Sequence, residues 1–204
     1  MTTHPASHQQ ELLSLCMPFL ARVKDMTAGN ETEFWLNQHY GINSDFYRKV
    51  ASLIRLGVEI EGWAANIEID GRHYRRSRLA EPSADTYWFS ITAVYMNSRM
   101  NAQGAPQHTT EDTFRGDYHA HPYGELNMVV PLNKEAELAG PSGWCHAGWT
   151  APAPGSAHYP ETRGGAIIAL FFLPAGRISY DVKPTDSHSN AHFNAASSFD
   201  AKRW

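Results

Sequence analysis

The chain of 204 residues has only two cysteines, Cys16 and Cys145, far apart in sequence, so no disulfide framework is suggested and a reducing cytoplasm is the expected setting. No apolar run approaches the length of a membrane span, and the opening Met1-Thr2-Thr3-His4-Pro5 has neither a basic nor an apolar stretch. The chain therefore reads as soluble, unexported and without a membrane partner. Basic charge is also scarce: 17 Lys and Arg against 21 Asp and Glu leave a net charge of -4, and the local basic cluster is Arg72 to Arg78. Without a basic stripe, nucleic acid is not an expected partner. Internal repeats are absent too, which excludes a solenoid.

What is present is 42% hydrophobic residues in a length that suits one well-packed core. Leu12, Leu15, Cys16, Phe19, Leu20, Val23 and Met26 recur at three- and four-residue steps, the spacing of a helix with one buried stripe. Two shorter helical patterns follow, Glu31 to Tyr40 and Ser44 to Leu56, with Ser44 as N-cap and Gly41 and Gly57 as stops. Phe34, Trp35, Phe46 and Tyr47 form an aromatic stripe read first as core packing. Beyond Gly57 the period falls to two. Ala64 to Ile69 and Arg72 to Leu79 flank an Asp70-Gly71 hairpin signal, and Phe89 to Met96, Leu126 to Val130, Ala166 to Leu173 and Ile178 to Val182 read as strands between Gly- and Pro-rich turns. Many short strands without intervening helices predict a mainly β sandwich or barrel. The expected organisation is a helical segment over 1–57, a barrel over 58–182 and an extension over 183–204.

The chemistry concentrates in Tyr118-His119-Ala120-His121-Pro122-Tyr123-Gly124-Glu125. On a strand His119 and His121 project from one face, and the bend over Pro122 to Gly124 returns Glu125 toward that face. Two imidazoles and a carboxylate make a facial set for a divalent metal, and His158, after a Pro154-Gly155 turn, supplies a fourth ligand. The mixed nitrogen and oxygen donors suit iron, manganese, zinc, nickel or cobalt alike. Eleven histidines occur in all, and His4, His8, His188 and His192, in polar terminal stretches, read as solvated.

From about Gly116 to Tyr180 the motif and strand pattern resemble a cupin, a jelly-roll barrel. His119, His121 and Glu125 match its first metal motif; Gly148, Pro154, Gly155 and His158 follow its second, with one residue fewer and Thr162 in place of the usual asparagine. Most of the chain also resembles the 4-hydroxylaminobenzoate lyase family of bacterial nitroaromatic degradation. Leu15-Cys16-Met17-Pro18-Phe19-Leu20, Glu61-Gly62-Trp63-Ala64-Ala65, Tyr74-Arg75-Arg76-Ser77-Arg78-Leu79, His119 through Asn127 and Phe171-Phe172-Leu173-Pro174-Ala175-Gly176-Arg177 carry the likeness. The resemblance implies conversion of 4-hydroxylaminobenzoate to 3,4-dihydroxybenzoate with release of ammonia.

That reaction involves no net oxidation, so neither nicotinamide nor flavin is expected. Glu125 is read as metal ligand or as proton shuttle, and Tyr123 as an acid or orienting group. Arg76 and Arg78 alternate on one strand face and fit a substrate carboxylate, although a solvated edge strand explains them equally. Tyr118, Tyr123, Trp144 and Trp149 are candidate ring contacts, each with core packing as the alternative. A dioxygenase acting on a catechol or aminophenol uses the same metal ligands, and a non-catalytic effector-binding barrel ranks third. The expected partners are a small aromatic carboxylic acid and a second copy of the chain in a homodimer.

Overall fold

In the computed structural model, which describes residues 7–99, 113–184 and 194–195, three helices come first: α1 (His8–Val23), α2 (Asn30–Tyr40) and α3 (Asp45–Leu56). Ser7 starts α1 with a reciprocal cap on Gln10, and Leu12, Cys16, Phe19, Leu20 and Val23 form its buried stripe. The Ser44 side chain accepts from the Tyr47 amide and opens α3 as its sequence predicts. Gly57 leads into a π-helical turn, Gly57–Glu61, where a Cβ would stand 2.4 Å from the Trp63 ring. Of the expected aromatic stripe, Tyr47 is buried, Trp35 and Phe46 pack partly against the core, and Phe34 is exposed.

Thirteen strands follow among the described residues: β1 (Ile67–Glu68), β2 (Tyr74–Ala80), β3 (Phe89–Asn97), β4 (Thr113–Arg115), β5 (His119–His121), β6 (Leu126–Pro131), β7 (Glu137–Gly140), β8 (Gly143–Cys145), β9 (Gly148–Thr150), β10 (Ser156–His158), β11 (Glu161–Arg163), β12 (Ala166–Pro174) and β13 (Asn194–Ala195). All their ladders are antiparallel. The largest sheet runs β1-β2-β3-β12-β6-β9, and two smaller ones run β13-β10-β5 and β4-β11-β7-β8. A mainly β fold with an N-terminal helical segment is what the alternation predicted.

Period-two alternation sorts the large sheet into two faces. Ile91, Ala93, Leu126, Met128, Trp149, Ile168, Leu170 and Phe172 pack with α1, α2 and α3 in the main core. Val94, Met96, Val129, Ile167, Ala169 and Phe171 turn the other way and close a second core with Phe114 and Leu138 of the small sheet. This second face is the barrel interior. Strand order alone makes β12 apolar on both sides, since helices cover one and the interior the other.

Two expected strands change. The first arm of the Asp70-Gly71 hairpin shrinks to Ile67–Glu68, because Ala64 and Ala65 are drawn into the core and the Ala65 amide donates to Ser77 Oγ at 2.8 Å. Over Ile178 to Val182 there is a single bridge, Ser179 exchanging both backbone bonds with Ala120 at 2.8 and 2.9 Å. Arg177, Tyr180 and Asp181 around it are exposed, so no apolar row holds a longer ladder. His8, read as solvated, meets Glu61 at 2.6 Å. His4, His188, His192 and most of the expected C-terminal extension lie outside the described residues.

Candidate functional site

The interior face of the smallest sheet carries the histidines. β5 and β10 pair so that His158 stands opposite His119 and Ser156 opposite His121, while Ala120 and Ala157 fill the other face. All three imidazoles are buried. His121 Nε2 lies 2.9 Å from His158 Nε2, which is 3.1 Å from His119 Nε2. The sequence put His119 and His121 together; strand pairing adds His158.

Backbone contacts fix this geometry. The Gly124 and Gly155 amides both donate to the His121 carbonyl, at 3.2 and 2.8 Å, so the turns after β5 and before β10 close on one oxygen. Gly124 needs its freedom: its φ is 79°, and a Cβ there would stand 2.7 Å from that of Ala28 and 3.0 Å from the Pro152 oxygen. Behind it the Glu125 amide bonds the Pro152 carbonyl at 3.0 Å.

The donor set fits a divalent metal. His119 Nδ1 is 2.9 Å from the Asp117 carbonyl, so the ring donates there and turns the Nε2 lone pair inward. Three imidazole nitrogens within 4.8 Å of one another, on rings that resist protonation, can turn their lone pairs to one cation. Burial lowers the pKa of all three rings, that of His119 to about 4; neighbouring imidazoles lower His121 and His158 further. Neutral, converging imidazole nitrogens are the form a metal takes.

Glu125 occupies a different place from the one its spacing suggests. Among the described residues the converging ligand group is His119, His121 and His158. The Glu125 carboxylate instead faces the other nitrogen of His121, with Oε2 3.6 Å from Nδ1. The bend over Pro122 to Gly124 carries it behind that ring. Burial pushes its carboxyl up to about 8, opposed by the Asn127 side chain, so near neutral pH the group holds a proton.

The remaining candidates separate. Trp149, a candidate ring contact, belongs to the helix-side core: its ring stacks on Phe19 at 5.0 Å and its Nε1 donates to the Tyr40 carbonyl at 2.8 Å. It sits on β9 at a position whose parity points away from the interior. Trp144 lies under the Arg163 guanidinium, 4.2 Å from the ring centre. Tyr118 packs on Tyr159 at 4.9 Å, and Tyr123 is half exposed on the turn. Arg76 and Arg78 share the interior parity of β2 and are exposed; Arg78 pairs with Glu81 at 2.9 Å. Sequence reasoning missed Tyr180, whose ring lies 5.7 Å from that of His119. Burial raises its phenol pKa and Arg76 opposes the rise. It also missed Asn127, an amide inside an apolar strand.

The model of the family described as 4-hydroxylaminobenzoate lyase matches residues 14–180. The chain belongs to this family. A 4-hydroxylaminobenzoate lyase from Pseudomonas putida is 62% identical over 173 residues, covering 85% of this chain and 96% of that protein. One from Nocardioides sp. (strain LMS-CY) is 60% identical over 178 residues, 87% of this chain and 98% of the relative. Among solved structures, a Klebsiella pneumoniae protein with a double-stranded β-helix domain aligns at 13% identity with TM-score 0.32, over 57% of this chain and 91% of its own. The span matched by the family contains every histidine of the converging group, Glu125, and both candidate arginines. No helix among the described residues is long and apolar enough to cross a membrane.

Proposed function

We propose that the protein is a metal-dependent lyase that converts 4-hydroxylaminobenzoate and water into 3,4-dihydroxybenzoate and ammonia. The observation that carries this reading is the 60–62% identity, over nearly the whole length of each, to two proteins named for that activity. Atoms balance with one water and no redox partner, so the proposed reaction calls for neither nicotinamide nor flavin.

His119, His121 and His158 would hold the metal, which would supply Lewis acidity toward the hydroxylamine oxygen and activate water. The protein's own groups account for the rest. Asp117 and the strand pairing hold the imidazoles as neutral donors. Glu125, buried beside His121 and out of solvent contact, gives a proton to the departing hydroxylamine oxygen as the N–O bond breaks and takes one back from the water that enters the ring. The family resemblance fits the chain to a small aromatic acid, with Arg76 or Arg78 as partner for its carboxylate.

The test is anaerobic incubation of metal-analysed protein with 4-hydroxylaminobenzoate, following both products, with His119→Ala as control. Equal yields of ammonia and 3,4-dihydroxybenzoate, lost in the variant, are expected. Turnover only after oxygen is admitted would replace the lyase by a dioxygenase.

A further inference from the structure

Across the interior face of the large sheet, three buried polar side chains hold atoms without a hydrogen-bond partner: Ser90 Oγ, Thr92 Oγ1 and Asn127 Oδ1. Ser90 and Thr92 share the parity of Val94, and Asn127 that of Val129, so all three face the barrel interior. Buried polar atoms left unpaired cost about 1–3 kcal/mol each, and native chains rarely keep several together unless something else satisfies them. Their arrangement is ordered. Thr92 is in register with Phe171, and Phe171 with Asn127, which places the two polar residues about 10 Å apart, two strand spacings, on either side of one aromatic ring.

The two ends differ chemically. Asn127 spends its Nδ2 on Thr150 Oγ1 at 3.2 Å, so its open atom is an acceptor. Its side chain also reaches Glu125, which stands 3.6 Å from His121, and this end therefore borders the histidines. At the far end Arg78 is in register with Thr92, and a Cβ built on Gly176 would lie 3.2 Å from Arg78 Nη1 and 3.5 Å from Ser90 Cβ. Hydroxyl donors and a guanidinium, which also pairs with Glu81 at 2.9 Å, thus meet at the rim.

We propose that this row is the substrate cradle and sets its direction: Ser90, Thr92 and Arg78 take the carboxylate, Phe171 supports the ring, and Asn127 Oδ1, beside Glu125, accepts from the hydroxylamino N–H or O–H. The assignment rests on the proposed lyase reading for the identity of the substrate. The open Oδ1 of Asn127 repels a carboxylate and welcomes N–H or O–H, so the reverse orientation leaves both ends mismatched. Phe171 stands in register between them, an apolar aromatic side chain for the substrate ring to rest on.

The decisive measurement is the preference for 4-hydroxylaminobenzoate over phenylhydroxylamine, which lacks the carboxylate, as a ratio of kcat/KM from ammonia release. Thr92→Val and Ser90→Ala are each expected to lower that ratio roughly tenfold or more, as loss of a bond to a charged group does, with Thr92→Ser restoring it. Asn127→Leu is expected to lower kcat on both substrates and leave the ratio in place. In parallel, calorimetry of 4-hydroxybenzoate against phenol reads the carboxylate end without turnover. A ratio unmoved by both Thr92→Val and Ser90→Ala, in variants that melt like the parent, overturns the cradle. Absence of turnover by the parent protein, with 4-hydroxybenzoate binding still weakened in Thr92→Val, overturns the lyase reading and leaves the cradle standing.

Discussion

The Glu125 carboxylate stands 3.6 Å from Nδ1 of His121, on the side away from the nitrogen that meets His158, and neither residue is exposed beyond 1%. A single imidazole thus faces two other imidazoles on one side and an acid on the other. The acid borders that ring without bonding it, and in the proposed reaction it carries a proton at the edge of the site.

Glu125→Gln keeps the shape of that contact and removes the proton. It is expected to retain metal, measured by elemental analysis, and to lose kcat by roughly 10²–10⁴-fold, the usual contribution of a positioned proton carrier. Loss of the metal together with activity would make Glu125 a ligand instead.

Removing the metal is expected to lower the melting temperature, because a ligand that binds only the folded chain adds RT ln(1 + [L]/Kd) to its stability. His158→Ala should abolish that response. Chelator titration followed by calorimetry checks both, and a parent protein whose melting is indifferent to chelator would argue against a resident metal.

Part of this site was legible in the sequence, because His119 and His121 are close enough for period-two geometry to place them, whereas the bend over Pro122 to Gly124 carries Glu125 behind the His121 ring. His158 was assigned from its turn, but only the β5–β10 register shows that it sits opposite His119. Trp149 shows the limit: an aromatic near the metal motif belongs to either face of its strand, and the choice depends on which face the helices cover. Ser90, Thr92 and Asn127 were invisible for a related reason. A lone polar residue in an apolar strand looks ordinary until its neighbours on adjacent strands prove polar too.

Trp149→Phe separates those roles. The indole loses its bond to the Tyr40 carbonyl and part of its contact with Phe19 and Phe46. Stability is expected to fall by about 1–3 kcal/mol with KM unchanged, by urea unfolding and steady-state kinetics. A raised KM at unchanged stability would return Trp149 to the substrate.

The metal-free protein should be most stable near neutral pH, and the sign follows from opposite shifts. Burial lowers the three imidazoles from their ordinary 6.5, His119 to about 4, so below 6.5 the unfolded chain binds protons the folded one refuses and stability falls with pH. Glu125 works the other way: raised from 4.5 to about 8, it keeps a proton the unfolded chain has lost, and its contribution declines as pH rises through that window. Below 6.5 three imidazoles outweigh one carboxyl; above it the carboxyl acts alone. Each uncompensated proton changes stability by about 1.4 kcal/mol per pH unit, so urea midpoints of chelated protein between pH 5 and 8.5 should pass through a maximum, steeper on the acid side. A midpoint still rising at pH 8.5 would show that Glu125 ionises freely in the fold and carries no proton at neutral pH.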